Sequence, residues 1–119
     1  MSPLTPTLAE LNDRFRSMIQ IPQFGDQEIR GTYLITRGIA ELSPEDQIEI
    51  IAKVRNFDTF NEANDPFGDH SFGDIDHPGV GKILWKIDIY DATMTFGAED
   101  PMDVENSVRV LTIMLPLEW

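Results

Sequence analysis

The amino-acid sequence predicts an α+β domain, with an antiparallel sheet of three to four strands and two helices packed on one face. Three observations carry this prediction. Lys82–Tyr90 alternates apolar and polar residues with the two-residue period of a half-buried strand. Ser107–Leu117 is apolar on both faces, as a central strand is. Thr7–Ile21 and Ser43–Asn56 instead repeat their apolar residues at three- and four-residue steps, as helices do.

The first helix places Leu8, Leu11, Phe15, Met18 and Ile19 on one face. Pro6 and Thr7 suit its start and Pro22 its stop, with Arg14 and Arg16 on solvated flanks. Gln23–Arg30 is a polar connection. Thr32–Thr36 is β-branched and aromatic enough for a strand, and Gly38 marks a bulge or its end. Ser43-Pro44-Glu45-Asp46 is a helix start: serine caps, proline fits the first turn, and acids suit the positive end of the dipole. Ile48, Ile51, Ala52 and Arg55 share one face of that helix, broadened by Ile50, Val54 and Phe57. Residues 60–81 read as a long ordered loop, rich in turn residues. In the strand that follows, Ile83, Trp85, Ile87 and Ile89 form the buried face. Asp91–Thr95 is a turn or short strand, and Gly97–Asn106 a second acidic loop. Strands 82–90 and 107–117 are expected to be neighbours, joined as a long hairpin.

A chain of 119 residues fits one domain, with residues 1–30 as helix and connection and 31–119 as the α+β core. It has no cysteine, which excludes disulfides and thiolate zinc sites and suits the cytoplasm. No apolar run reaches membrane-spanning length, and the N-terminus lacks the pattern of a signal peptide. The net charge of −12 is unevenly placed: residues 56–108 contribute −10, with twelve acids against Lys82 and Lys86. Such a field repels nucleic acid and attracts basic protein surfaces.

The acids fall in two loops, residues 58–76 and 97–105, which are expected to form the working surface. Asp65, Asp69, Asp74 and Asp76 lie in the first; Glu99, Asp100, Asp103 and Glu105 lie in the second. These eight are the candidate partner-binding residues. Asp69, His70, Asp74, Asp76 and His77 also offer oxygen and nitrogen donors for a cation, with His70, Asp74 and His77 the candidate ligands. Their spacing matches no metal motif, and acids in glycine-rich turns commonly cap the backbone, so neither metal nor other cofactor is expected. His70, Lys86, Asp88 and Asp91 could serve a hydrolase or nuclease, yet no basic phosphate-binding surface accompanies them. Lys86 and Asp88, two apart on a strand, are expected to form a surface ion pair. Gly79-Val80-Gly81 precedes a strand and lacks a phosphate-loop lysine. Trp85 and Trp119 read as core and edge anchors.

Three blocks carry a family resemblance: FNEANDPFGDHSFGDID, KILWKIDIYD and AEDPMDVENSVRVLTIMLPLEW. Together they resemble a small bacterial domain of unknown function found mainly in alphaproteobacteria. Its pattern runs FxxxNDPxGEHDFG, WKIDYYD, then SxDPxDPxxTxRVLTIML with an aromatic terminus. The resemblance covers residues 31–119. Asp69 stands where the pattern has Glu, Ser71 where it has Asp, and Ile89 where it has Tyr. The resemblance implies cargo of mobile elements, among which anti-defence genes are frequent, and it implies no established activity. The resulting expectation is a non-catalytic inhibitor, monomeric or homodimeric. It would occupy the basic surface of a nucleic-acid-binding protein, such as a CRISPR or restriction effector. The alternatives are a metal-assisted hydrolase centred on His70 and a structural dimer.

Overall fold

The computed structural model describes residues 6–19 and 29–119. The elements are α1 (Leu8–Ser17), β1 (Gly31–Ile35), α2 (Arg37–Ala40), α3 (Pro44–Arg55), β2 (Phe72–His77), β3 (Gly81–Asp91), β4 (Ser107–Met114) and a 3-10 turn, Pro116–Glu118. The strands form one sheet in the order β1-β4-β3-β2. β3 pairs antiparallel with both β2 and β4, so the two strongest strands are neighbours as expected. β1, however, runs parallel to β4, which makes the sheet mixed rather than wholly antiparallel. A short hairpin forces antiparallel pairing only on consecutive strands, and two helices and two strands separate β1 from β4.

One face of the sheet carries the core. Trp85 opposes Ile113 and Ile87 opposes Leu111 across β3 and β4. Against these pack Leu11 and Phe15 of α1, Ile39 of α2, and Ile50, Ile51 and Val54 of α3. Burying each such side chain contributes roughly 1.5–3 kcal/mol. The opposite face presents Leu84, Lys86, Asp88 and Tyr90 of β3, all four partly buried. There Trp119 stands edge-on to Phe72 of β2 at 5.4 Å, and the Lys86 ammonium lies 5.5 Å from its ring centre.

Local chemistry sets the helix ends. The Thr7 hydroxyl accepts from the Glu10 N–H while Glu10 reaches back to the Thr7 N–H, a reciprocal cap on α1. The Ser43 hydroxyl accepts from the Asp46 N–H and Pro44 opens α3. α1 stops at Ser17, short of Ile21, because the N–H groups of Met18 and Ile19 take tighter three-residue bonds to Phe15 and Arg16. The Pro22 stop and most of the 23–30 connection lie outside the described residues.

Three expectations change. Arg16 is buried rather than solvated, with its guanidinium over Phe60 and Trp85. Ile48 is 65% exposed, so the buried stripe of α3 is Ile50, Ile51 and Val54. Residues 72–77 form strand β2 inside the expected loop. Their acids and glycine depress strand propensity, but the turn at Gly79 and Gly81, both with positive φ, folds them back onto β3.

Candidate functional site

The first acidic loop is ordered by its own side chains. The Asn61 side-chain oxygen accepts the N–H groups of Ala63 and Asn64, and Asn64 spans back to the Asn61 N–H and the Thr59 carbonyl. The Asp65 carboxylate accepts the N–H groups of Asp69 and His70, both at 3.1 Å. Gly68 and His70 both adopt positive φ, 66° and 55°, and so reverse the chain there. Asp65 is therefore a buried loop anchor, its side chain 6% exposed, and not a free surface charge.

His70 is equally committed. Its Nδ1 donates to the Asp13 carboxylate at 2.9 Å, its Nε2 lies 3.5 Å from Asp65, and its ring stacks on Phe60 at 3.8 Å. The Ser71 hydroxyl donates to Asp69 at 2.9 Å. Lys86 and Asp88 pair with each other at 3.0 Å on the open face of the sheet, whereas His70 packs with Phe60 on the helix side. The structure thus does not bring the suggested His70, Lys86 and Asp88 chemistry together. Asp91 closes its own turn, accepting from Thr93 and Thr95. The Thr93 hydroxyl, more than the backbone donors, holds the Asp91 carboxyl below its usual pKa.

A buried polar chain joins the two acidic loops. The Asn12 amide of α1 donates to the Asp69 carbonyl at 2.8 Å, and its oxygen accepts from Arg109 Nε at 2.8 Å. Arg109 Nη2 then donates to the Pro101 carbonyl in the second loop. Both Asn12 and Arg109 are fully buried. Burial pushes the Arg109 guanidinium pKa down from its ordinary value. Arginine suits this position because its fork of donors reaches two acceptors at once.

The first loop carries Phe67, and the turn that opens the β3–β4 connection carries Phe96. Phe67 is 90% exposed and Phe96 is 71% exposed. Phe67 borders an open, largely apolar hollow of about 590 Å³, lined also by Pro66, Phe72, Leu84, Pro116 and Trp119 and touched by Asp65 and Asp69. Phe96 borders a second hollow of about 650 Å³, lined by Asp91, Glu99, Asp100 and Asp103.

The other acids are scattered. Asp74 pairs with Lys82 at 3.3 Å, and Asp76 is exposed at the sheet edge. Glu99, Asp100 and Glu105 are exposed, while Asp103 is half-buried and accepts from Asn106. Of the metal candidates, Asp74 and His77 leave opposite faces of β2, and His70 is held by Asp13. Sequence reasoning did not single out Asn12 or Arg109 as a connection, because 97 residues separate them.

A family model described as a protein of unknown function (DUF3768) matches residues 35–118. The chain belongs to the DUF3768 family. No curated protein and no solved structure matches it. The DUF3768 match spans both acidic loops, the sheet from the end of β1 and the C-terminal turn. It leaves out α1, so Asn12, Asp13 and Arg16, which hold the first loop, lie outside the matched region. Among the described residues no helix is long and apolar enough to cross a membrane.

Proposed function

We propose that this DUF3768 protein is a non-catalytic, acidic protein-binding module whose partner presents a basic surface. The observation that carries the reading is the pair of acidic loops, both tied to one buried Asn12–Arg109 anchor, with an exposed phenylalanine in the first loop and another just before the second. Ordering the loops beforehand removes part of the entropic cost of association. Aromatic side chains beside a hollow supply affinity, and the surrounding acids supply encounter rate and selectivity. The finer form is an inhibitor carried by a mobile element that fills the nucleic-acid groove of a defence protein such as a CRISPR or restriction effector. Acids spaced over two loops imitate phosphates, and the charge excludes direct nucleic-acid binding.

The test begins with affinity capture from nuclease-treated host lysate, followed by kinetics on the purified partner. Phe67→Ser with Phe96→Ser should speed dissociation. Neutralising Asp74, Asp76, Glu99, Asp100 and Glu105 should slow association and flatten its salt dependence. DNA or RNA should compete with the protein for the partner. A stable ternary complex with nucleic acid would reject mimicry, and salt-insensitive association would reject the role of charge.

A further inference from the structure

α3 and β2 bring together three donors outside the acidic loops. Asp46 and Glu49 are three residues apart on α3 and therefore lie on one helix face. His77 ends β2 with its side chain 1% exposed, beneath them. Its Nε2 lies 2.8 Å from the Asp46 carboxylate and 3.6 Å from that of Glu49. One ligand atom from each residue falls within 4.8 Å of the other two. Asp46 and Glu49 are 38% and 65% exposed, so the cluster opens to solvent on one side.

We propose that Asp46, Glu49 and His77 form a site for a divalent transition-metal ion of the zinc type. Zinc takes imidazole nitrogen and carboxylate oxygen at about 2.0–2.2 Å, so tetrahedral donors sit about 3.4 Å apart. Small rotations of the two exposed carboxylates reach that spacing, and solvent supplies the fourth position. The buried imidazole distinguishes this trio from a surface group of acids. A single carboxylate satisfies its Nε2–H, and the second carboxylate leaves a surplus of negative charge that a cation offsets.

The other imidazole nitrogen sets the strength of the site. Lys53 Nζ lies 3.1 Å from His77 Nδ1 and also donates to the Asp76 carbonyl at 3.0 Å. An ammonium only donates, so Nδ1 accepts and the ring proton resides on Nε2, facing Asp46. Metal at Nε2 displaces that proton, and the neutral ring then carries its hydrogen on Nδ1. Lys53 must turn away, because two donors cannot face each other. In dedicated sites that nitrogen donates to a carboxylate or carbonyl instead. Lys53 therefore keeps the metal exchangeable and opposes its binding.

The chain has only two histidines, so their ring nitrogens are easily told apart. Zn²⁺ alone is titrated into the full chain, read by calorimetry and by nitrogen–proton spectra of the imidazoles. One equivalent should move the His77 proton from Nε2 to Nδ1 and leave His70 unchanged. Glu49→Gln, a change at an exposed position, should weaken binding by at least the roughly 10–100-fold that loss of a supporting residue costs. Lys53→Gln should tighten it. His77→Gln should abolish it, with circular dichroism reporting the fold. The proposal is overturned if Zn²⁺ fails to saturate at one equivalent, if His70 responds in place of His77, or if Glu49→Gln binds like the parent. Unchanged or weaker binding by Lys53→Gln overturns the competing role of Lys53.

Discussion

The Glu118 carboxylate accepts the backbone N–H of Gly38 at 2.9 Å, tying the last turn of the chain to the start of α2. The same carboxylate accepts the Thr36 hydroxyl at 2.5 Å and the Leu115 N–H at 2.9 Å. Glycine leaves room for the contact: a Cβ at residue 38 would stand 2.5 Å from a Leu115 methyl and 2.8 Å from the Glu118 carboxylate, so both side-chain ends would have to shift. Through this clamp Trp119 is held beside Phe72 at the rim of the apolar hollow.

The Thr36 hydroxyl chiefly, with the Leu115 and Gly38 N–H groups, holds the Glu118 carboxyl below its usual pKa. A depressed carboxyl stabilises the fold above the unfolded pKa, and that contribution fades as pH falls through the folded value. Acid titration should therefore release the turn and change Trp119 emission before the core responds. Glu118→Gln should show the released spectrum at pH 7, and Gly38→Ala should match it. Trp119 emission in Glu118→Gln identical to the parent at pH 7 would show that the clamp does not position Trp119.

At high pH the sensitive group is Tyr33, whose phenol donates to the Phe15 carbonyl at 2.6 Å. Burial pushes its pKa up to about 12. The neutral phenol is the form the fold favours, so stability is full below the unfolded pKa of 10.0 and declines as pH rises toward about 12. Ultraviolet titration of the parent against Tyr33→Phe should assign the late phenolate to Tyr33. A Tyr33 phenol that ionises near 10 would contradict this burial.

Ile113 and Ile87 occupy the core face of β4 and β3, 0% and 5% exposed. Alanine at either position should cost roughly 2–5 kcal/mol, from lost burial and the cavity left behind. A urea curve within about 0.5 kcal/mol of the parent would place these side chains outside the core.

Asn12→Ala should be as severe for a different reason. It leaves the buried Arg109 Nε without its acceptor and the Asp69 carbonyl without its donor. An unsatisfied buried group costs about 1–3 kcal/mol, and more when charged. Amide exchange should rise in both acidic loops together, since the Asn12–Arg109 chain holds both. Loosening of the first loop alone would show that the anchor is not shared.

What the sequence determined by itself was local. The Ser43-Pro44-Glu45-Asp46 start of α3, the alternation of β3 and the pairing of β3 with β4 follow from capping, period and chain continuity, which neighbouring residues encode. The Lys86–Asp88 pair follows from the same two-residue period. Tertiary structure decided whatever depends on partners distant in the chain. It set β1 parallel to β4 and turned the acid-rich 72–77 segment into a strand, because pairing with β3 outweighs weak propensity. It buried Arg16 with its guanidinium over two rings, withdrew the Asp65 carboxylate to anchor a loop, and bound the partly exposed His70 to Asp13. A charge count cannot separate an acid that folds the chain from one that meets a partner. That division depends on which backbone N–H groups lie within about 3 Å of each carboxylate, and only the folded chain brings them there.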